Sequence, residues 1–358
     1  YAVSRALVQA HDLGGTMTQP ASSSASAPVV PHTMRAAVQD RYGSPETVLE
    51  IREVPVPVLG TGEVLVKVAA ASVNALDWHF TTGLPMFARA SLGLRRPRRT
   101  TPGVDVAGTV VAVGPDVSRW QPGDEVFGQV RGGGFAEFVA APADSLVHRP
   151  DEVDVRDAAT LGVAAQTALQ GLRDWGQLQP GQRVLINGGS GGVGTFAVQL
   201  AKILGAGHVT AVCSTANVET ARRLGADTVV DYLVEDHSAT SERYDLFFDN
   251  AGTWSLGRCR RVLRPGGTYV MVTAPKSPWL HPLPRLLAAP AAFLFSGRRA
   301  VAGRTAQHLP ADVELLRDLV SSGALRPVMD RQYRLDDVGE ALEQQGRFHA
   351  RGKSLILP

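Results

Sequence analysis

Short segments of alternating apolar and polar residues follow one another between residues 34 and 155, with Gly and Pro between them. They begin with MRAAVQ, VLEIREVPVP and GEVLVKVAAASV, which are also rich in β-branched residues. Alternation with a period of two, bounded by turn-forming residues, is typical of strands. The pattern therefore predicts a β-rich domain at residues 34–155.

The pattern changes near residue 183, where strand-like segments begin to alternate with segments of helical period. RVLIN precedes GVGTFAVQLAKILG, and HVTAVC precedes NVETARRLG. Strand–helix alternation with short links predicts a parallel, doubly wound sheet, which we expect at residues 156–304. A helix at residues 311–323 and a last strand, KSLILP, are expected to return residues 305–358 to the first domain. The predicted fold class is therefore α/β, with a β-rich domain beside a doubly wound sheet.

Composition and charge narrow the function classes. Of 358 residues, 44% are hydrophobic and 20% are charged, which is enough apolar surface for two packed domains. Lys and Arg total 36 against 34 for Asp and Glu, so a nucleic-acid partner is not expected. The longest apolar run, around Leu286–Phe295, is too short to span a bilayer and contains Pro290, so no membrane span is expected.

The chain has two cysteines, Cys213 and Cys259. That number excludes a disulfide framework, a four-cysteine zinc site and an iron–sulfur cluster within one chain. A reducing, cytoplasmic setting is therefore expected.

Residues 1–33 show little periodicity and contain a Ser/Ala/Pro run at residues 20–31, which predicts a disordered extension. The scarcity of acidic residues leaves a transit peptide open as an alternative. Met17 and Met34 are both candidate translation starts.

A glycine-rich segment, GGSGGVG, carries the clearest chemistry. Gly189, Gly191 and Gly194 have the G-x-G-x-x-G spacing, directly after the strand-like segment Arg183–Asn187 and before a helix expected to begin near Gly192. Glycines in that context allow a tight turn and a close approach of the backbone to a pyrophosphate, while the helix N-terminus supplies amide donors. The segment therefore predicts a dinucleotide site.

Cofactor choice is expected at the end of the next strand, HVTAVCS. A site that prefers NAD places an Asp or Glu there, whereas this chain has Cys213, Ser214 and Thr215. Ser214, Thr215 and Asn217 can hydrogen-bond a 2′-phosphate, and Arg222 is a charge partner if its helix turns it inward. N-capping of that helix is the alternative role for the three polar residues. The sequence favours NADPH.

Several blocks together resemble the medium-chain dehydrogenase/reductase superfamily, in its zinc-independent quinone oxidoreductase-like branch. They include MRAAVQDRYGSPETVLEI, GEVLVKVAAASVNALDW, PGVDVAGTVVAVG, GDEVFG, GGFAEFV, GGSGGVG, FDNAG, LRPGG and HARGKSLIL. The resemblance runs from Met34 to Pro358. It implies a GroES-like β domain joined to a Rossmann domain, with the cofactor in the cleft between them. We also expect a homodimer.

The resemblance also bears on zinc. Zinc alcohol dehydrogenases of this superfamily have Cys and Gly-His-Glu motifs around the catalytic metal, whereas this chain has Asn74 and, at residues 103–105, Gly-Val-Asp. An improvised ligand set of Asp77, His79 and Asp105 is the alternative. We expect no metal.

Without a metal Lewis acid, an isolated ketone is difficult to reduce. Hydride addition to a quinone or an activated alkene is easier, because charge develops on a delocalised enolate oxygen that neutral donors can stabilise. By resemblance, Asn74 is the expected catalytic donor, unless it only satisfies a turn at a strand end. Relatives often carry a tyrosine nearby, but this chain has Trp78 and His79, which suggests an aromatic wall.

The remaining cofactor contacts are also implied by resemblance. Thr167 is expected beneath the nicotinamide, although it can instead bond its own helix backbone. Tyr232 is expected near the 2′-phosphate or packed on a strand, and Arg351 at the cofactor or on the surface. The full expected set is Thr167, Gly189, Ser190, Gly191, Gly192, Val193, Gly194, Ser214, Thr215, Asn217, Tyr232, Asn250, His349, Ala350 and Arg351.

Two segments depart from the family pattern. Residues 88–100 hold five arginines, which indicates either a solvated insertion or an anion-binding patch. The apolar stretch Pro275–Phe295 suggests a lining for the substrate pocket or a subunit interface. The sequence thus predicts an NADPH-dependent reductase of quinones or enones. The alternatives are alcohol or aldehyde oxidoreduction and a zeta-crystallin-like RNA-binding role.

Overall fold

A computed structural model describes residues 30–272, 283–347 and 350–358. His349, one of the expected cofactor residues, lies outside this part of the chain. The strands are β1 (Thr33–Val38), β2 (Glu50–Pro55), β3 (Glu63–Ser72), β4 (Asp105–Val113), β5 (Glu125–Gln129), β6 (Phe138–Pro142), β7 (Leu146–His148), β8 (Arg183–Asn187), β9 (His208–Cys213), β10 (Thr228–Asp231), β11 (Tyr244–Asp249), β12 (Leu263–Met271), β13 (Arg299–Val301), β14 (Met329–Arg334) and β15 (Lys353–Leu357).

The helices are shorter on average in the first half of the chain. They are α1 (Pro45–Val48), α2 (Ala75–Thr82), α3 (Arg89–Leu92), α4 (Val155–Ala158), α5 (Gln166–Gln170), α6 (Gly192–Ile203), α7 (Val218–Arg223), α8 (Leu256–Arg261), α9 (Leu283–Phe293), α10 (Pro310–Ser321) and α11 (Val338–Gly346). Two π-helical turns, Leu161–Ala165 and Gly171–Trp175, flank α5. No helix in these ranges is long and apolar enough to cross a bilayer.

The first sheet is β-rich and mostly antiparallel. Within the described residues its strand order is β14-β15-β3-β4-β5-β7, with β6 also paired to β3, while β1 and β2 form a separate antiparallel ribbon. Val64, Val66 and Val68 of β3 point to one face of the sheet and pack into one core with Val106 and Val110 of β4, whereas Leu65 between them is buried in a separate cluster. The apolar residues that recur at every second position of the sequence therefore lie on the inward face of this sheet.

The second sheet is parallel and doubly wound. Its order among the described strands is β10-β9-β8-β11-β12-β13, so the direction of winding reverses between β8 and β11. Val184, Leu185 and Ile186 of β8 have no solvent exposure, as expected for a central strand covered on both faces. Ligands of such sheets bind outside the carboxyl ends of the strands at this switch point. The predicted α/β fold class is confirmed.

The C-terminal segment joins the first sheet. β15 pairs antiparallel with β3, setting Leu355 opposite Ser72 and Ile356 opposite Ala71, and β14 runs parallel to β15. Lys353, at the start of β15, consequently lies beside the chain that leaves the end of β3. This pairing brings residues nearly 280 positions apart in sequence to one end of the cleft.

The arginine-rich segment at residues 88–100 forms a surface projection containing α3. Arg89 lies 4.5 Å from the centre of the Tyr42 ring and donates a hydrogen bond to the Gly83 carbonyl oxygen. Arg95 and Arg96 are exposed and, with Arg41, border a small hollow that is separate from the main cleft.

Candidate active site

A large cavity opens between the two sheets. Its volume is about 1340 Å³, and it is lined from the carboxyl ends of β8, β9 and β11 on one side and from α2 and β15 on the other. A cleft of this size at the switch point of a doubly wound sheet has room for a dinucleotide and a second, smaller molecule.

The glycine-rich turn forms one wall of the cavity. Gly191 caps α6, and Ser190, Gly191, Gly192 and Val193 all line the cavity, so the first amide groups of the helix face it. Free amide donors at the start of a twelve-residue helix attract an anion such as a pyrophosphate. These four residues lie where the sequence predicted them.

Gly189 and Gly194 have a different role, because neither lines the cavity. A methyl group on Gly194 would lie 2.0 Å from the Gly188 carbonyl oxygen, and one on Gly189 would lie 3.0 Å from the Ala211 side chain. These two glycines therefore allow α6 to pack closely against the ends of β8 and β9.

The end of β9 forms a polar corner of the cavity with the residues that follow β10. Ser214, Thr215, Asn217 and Tyr232 all line it. The Asn217 Nδ2 group donates to Ser214 Oγ over 2.9 Å, which leaves the Ser214 hydroxyl hydrogen free to point to a bound molecule. Ser214 is therefore preorganised as a donor.

Arg222 does not contribute to this corner. Its side chain is 61% exposed on α7 and pairs with Glu219 at 3.8 Å, so the helix turns it outward. Two acids that no sequence motif indicated, Glu235 and Asp236, line the cavity beyond β10. Cys213 is buried, and burial raises the pKa of its thiol to about 11, so it is a neutral side chain at physiological pH.

Asn250 lines the cavity at the end of β11. The strand end beneath it is fixed by Asp249, which accepts hydrogen bonds from Asn187 Nδ2 at 2.9 Å and from the Gly252 amide at 2.8 Å. This link ties the carboxyl ends of β8 and β11 together and keeps the crevice at a defined width.

Thr167, Ala350 and Arg351 also line the cavity. Thr167 Oγ1 donates to the Val163 carbonyl oxygen at 2.6 Å, so the hydroxyl bonds the backbone of its own helical segment. The Arg351 side chain is exposed at the rim, and its backbone amide donates to Asp330.

A buried hydrogen-bond network lies at the opposite wall, around Asn74. The Asn74 side chain lines the cavity and is 4% exposed. Its Nδ2 group donates to Asp105 Oδ2 at 2.9 Å and to the Ser72 carbonyl oxygen at 3.2 Å. Its Oδ1 atom accepts a hydrogen bond from Lys353 Nζ at 2.5 Å. Every hydrogen-bonding group of the amide is thus engaged within the protein.

Two carboxylates support this network. Asp105 is buried, accepts from Ser72 Oγ and the Val163 amide, and fits only because residue 162 is glycine, where a methyl group would lie 2.1 Å from Asp105 Oδ1. Asp77 accepts from the backbone amides of Asn74 and Gly103. The Asp105 side chain is therefore fixed by three donors, Ser72 Oγ, Asn74 Nδ2 and the Val163 amide, and by the space that Gly162 leaves for it.

Burial changes the ionisation of these groups. Desolvation raises the pKa of Asp105, while Lys353 opposes the shift. Desolvation and the charge of Asp105 together raise the pKa of Asp77 to about 7. Burial lowers the pKa of Lys353, and Asp105 and Asp77 counteract that change. One buried lysine thus interacts electrostatically with two buried carboxyl groups, and the pKa of Asp77 lies close to neutral pH.

Comparison with known proteins identifies the family. Residues 60–151 match the family model described as an alcohol dehydrogenase GroES-like domain, and residues 224–356 match one described as a zinc-binding dehydrogenase. The chain is 35% identical to the chloroplastic quinone oxidoreductase QR1 of Triphysaria versicolor over 342 residues, which cover 91% of this chain and 98% of that protein. The chain belongs to the medium-chain dehydrogenase/reductase superfamily.

Two further superfamily members agree with this assignment. A 2-methylene-furan-3-one reductase of Solanum lycopersicum is 30% identical over 341 residues, covering 92% of this chain and 80% of that protein. The solved structure of the quinone oxidoreductase from Coxiella burnetii superposes with a TM-score of 0.81 at 29% identity, covering 91% of this chain and 99% of that one. The protein is an oxidoreductase of this superfamily with quinone oxidoreductase and enone reductase homologues, as predicted.

The superfamily name raises the question of a metal, and the donor set does not fit one. Among the described residues, no three His, Cys, Asp or Glu side chains are grouped so that they could hold a metal ion. The carboxylates of Asp77 and Asp105 are already occupied by hydrogen-bond donors. His79 lines the cavity, but its Nδ1 atom is hydrogen-bonded to the Leu84 carbonyl oxygen at 2.6 Å.

The expected aromatic wall is formed in part. His79 lines the cavity, whereas Trp78 packs edge-on against the His79 ring at 5.1 Å and against Gly346 of α11. Lys353 also lines the cavity, although the sequence predicts it only as part of a terminal strand. A single lysine at the start of an apolar strand carries no local pattern that distinguishes a buried ammonium group from a surface one.

Proposed function

We propose that the protein is an NADPH-dependent, zinc-independent reductase of quinones or α,β-unsaturated carbonyl compounds. The proposal rests chiefly on the near full-length similarity to a quinone oxidoreductase, together with a cavity lined by the glycine-rich turn. The absence of an acid at the end of β9 supports NADPH over NADH, because a carboxylate there would repel the 2′-phosphate.

In the proposed binding mode, different walls of the cavity bind different parts of NADPH. Amides at the start of α6 hold the pyrophosphate, Ser214 and its neighbours hold the 2′-phosphate end, and Asn250 and Thr167 border the nicotinamide end. When bound, NADPH supplies a hydride from its nicotinamide ring. The residues around Asn74 then face the oxygen of the acceptor, where negative charge collects.

The acceptor class follows from the charge that must be stabilised. A quinone or enone delocalises the incoming electron pair onto an enolate or phenolate oxygen, so hydrogen-bond donors suffice. An isolated ketone yields a localised alkoxide, which enzymes commonly stabilise with a metal Lewis acid. The donor set described above therefore favours conjugated acceptors.

The direct test combines metal analysis with turnover. We expect NADPH oxidation with 1,4-benzoquinone and with an aliphatic enone, little oxidation with a simple ketone, and no stoichiometric zinc in the purified protein. Stoichiometric zinc, or turnover of the ketone alone, would contradict the proposal.

The polar corner predicts a cofactor-preference change. Ser214→Asp is expected to lower kcat/KM for NADPH roughly tenfold or more, because the carboxylate repels the 2′-phosphate, with a smaller effect on NADH. Steady-state kinetics with both cofactors measure the change. Ser321→Asp, on the exposed surface of α10, is the matched control and should leave both values unchanged. Equal losses for NADPH and NADH would remove Ser214 from the 2′-phosphate site.

Asn74 provides a second prediction. Asn74→Ala is expected to lower turnover by roughly tenfold or more, because it removes a hydrogen bond to a charged group, while NADPH affinity stays nearly unchanged. Turnover and the fluorescence of bound NADPH report the two quantities separately. An unaffected rate would exclude Asn74 from the mechanism.

A homodimer and a cytoplasmic location remain predictions. In the described part of Pro275–Phe295, α9 and the residues after it do not line the cavity, whereas Leu287, Leu294 and Phe295 are 75%, 71% and 96% exposed. These exposed apolar residues support the interface role over the pocket role for this segment.

A further inference from the structure

Lys353 is the only buried lysine among the described residues. Its side chain is 2% exposed and lines the cavity, and its Nζ atom donates to the Val73 carbonyl oxygen at 2.9 Å and to Asn74 Oδ1. An ammonium group has three hydrogens, and these two acceptors use two of them. In the described part of the chain, the third has no protein acceptor, although the group borders the cavity.

The path of the side chain carries its amino group from the glycine-rich turn to the Asn74 side of the cavity. A methyl group on Gly192 would lie 3.0 Å from Lys353 Cδ, so the stem of the lysine crosses over the first residue of α6. From there the chain reaches the turn after β3. Lys353 thus spans the cleft, from the dinucleotide turn on one side to the Asn74 turn on the other.

Burying a lysine is costly unless its charge is compensated. Asp105 and Asp77 compensate the charge here, but neither makes a hydrogen bond to Lys353 Nζ in the structure. Asn74 lies between them, donating to Asp105 and accepting from Lys353. The charge is therefore stabilised by the carboxylates without occupying the third hydrogen, an arrangement suited to a group that must bind a transient anion.

The same contacts limit what Asn74 can do. Both hydrogens of its amide are used by Asp105 and Ser72, so direct donation to a substrate would require breaking one of these bonds. Lys353 needs no such change, and the nearby carboxyl groups of Asp105 and Asp77 favour its positively charged form. Of the two neighbours, the lysine is the better donor to an oxygen that becomes negative.

We propose that Lys353 is a catalytic residue whose free N–H group stabilises the oxyanion formed on the acceptor, and that Asn74 and Asp105 are its positioning residues. The inference rests on the proposed function and adds the group that performs the stabilisation.

The proposed reduction needs only a hydride from NADPH and a proton from water. Hydride adds to the β-carbon of the enone, the carbon–carbon π electrons move to form the enolate, and the carbonyl oxygen takes the negative charge. Lys353 donates a hydrogen bond to that oxygen and keeps its proton. A proton from water then adds to the α-carbon. With a quinone, the hydride and one proton from water give the hydroquinone.

The first test separates catalysis from cofactor binding. Lys353→Met removes the charge and keeps most of the length of the unbranched side chain. We expect kcat to fall roughly 100- to 1000-fold, the range found for removing one oxyanion donor, while the Kd for NADPH stays nearly unchanged. Lys202→Met, which removes a half-exposed lysine paired with Asp227, is the matched control and should retain wild-type kcat.

The second test does not depend on turnover. 4-Nitrophenol, whose phenolate mimics the oxyanion and absorbs visible light, is titrated into the NADP⁺-loaded protein. The wild type is expected to bind the phenolate form and lower the pKa of the ligand, whereas Lys353→Met should bind it mainly as the neutral phenol. Identical spectra for the two proteins would overturn the inference.

Failure of the Lys353 proposal can be distinguished from failure of the proposed reductase function. If the wild type reduces neither quinones nor enones, the proposed function fails. If it does, and Lys353→Met retains kcat or loses only NADPH affinity, the lysine is not the oxyanion donor. Should Lys353→Met fail to fold because Asp105 is left uncompensated, the double variant Lys353→Met with Asp105→Asn replaces the pair by neutral groups of similar size. It should fold and show the same loss of kcat.

Discussion

Replacing Gly194 with alanine is expected to destabilise the protein by about 3 kcal/mol or more, the upper range for overpacking a close contact. The added methyl group would lie 2.0 Å from the Gly188 carbonyl oxygen and within 3 Å of two further backbone atoms of the turn. Backbone atoms of a tight turn cannot move aside as a flexible side chain would. α6 must therefore shift away from the end of β8, which also moves its free amides out of the cavity wall. Thermal unfolding of the purified protein measures the loss.

Gly191→Ala is the matched control, in the same turn and with the same added methyl group. Nothing lies closer than 3.8 Å to the new atom, and the backbone angles of Gly191, φ −76° and ψ 175°, are allowed for alanine. The variant should therefore fold with wild-type stability. Its methyl group would occupy the cavity wall, so NADPH affinity should fall roughly tenfold. Equal melting temperatures for Gly194→Ala and the wild type would refute the packing role of Gly194.

Asp105→Ala is expected to cost about 3–5 kcal/mol of the free energy of unfolding, the cost of removing one partner of a buried charge pair. Ser72 Oγ, Asn74 Nδ2 and the Val163 amide would each lose their acceptor. Lys353 would lose the stronger of the two electrostatic interactions that offset its burial. Urea unfolding followed by circular dichroism measures the loss.

Asp318→Ala is the surface counterpart of this change. Asp318 is 59% exposed and pairs with Arg317, so its removal should cost no more than about 1 kcal/mol. Similar losses for the two variants would mean that Asp105 is not part of a buried charge network. A folded Asp105→Ala protein with wild-type turnover would likewise contradict its role as a positioning residue for Lys353.

Much of the fold could be predicted from local pattern. The segment Arg183–Asn187 forms β8 with the predicted bounds, and α6 begins at Gly192 where the glycine spacing placed a helix start. Both predictions succeeded because their causes are local: a continuous apolar run needs burial on both faces, and a glycine turn directly before a helical period leaves few backbone alternatives. The helix expected at residues 311–323 is observed at Pro310–Ser321, because its helical period is also a local feature of the sequence.

Individual side-chain roles were less predictable. The outward orientation of Arg222 depends on how α7 rotates against the sheet, and a helix of six residues carries too short a period to fix that rotation. The internal hydrogen bonds of Asn74 depend on Asp105 and Lys353, which lie 31 and 279 positions away. A sequence motif could place Asn74 at the cavity but could not show which of its atoms were free.

The sequence by itself determined the two-part α/β architecture, the dinucleotide turn and the absence of the superfamily's zinc motifs. Each of these features depends on residues that are close together in the chain. Only the tertiary structure decided that Lys353 is buried beside Asn74 rather than exposed at the C-terminus. That outcome follows from the pairing of β15 with β3, a long-range choice that buries the apolar faces of both strands and carries the lysine into the cleft.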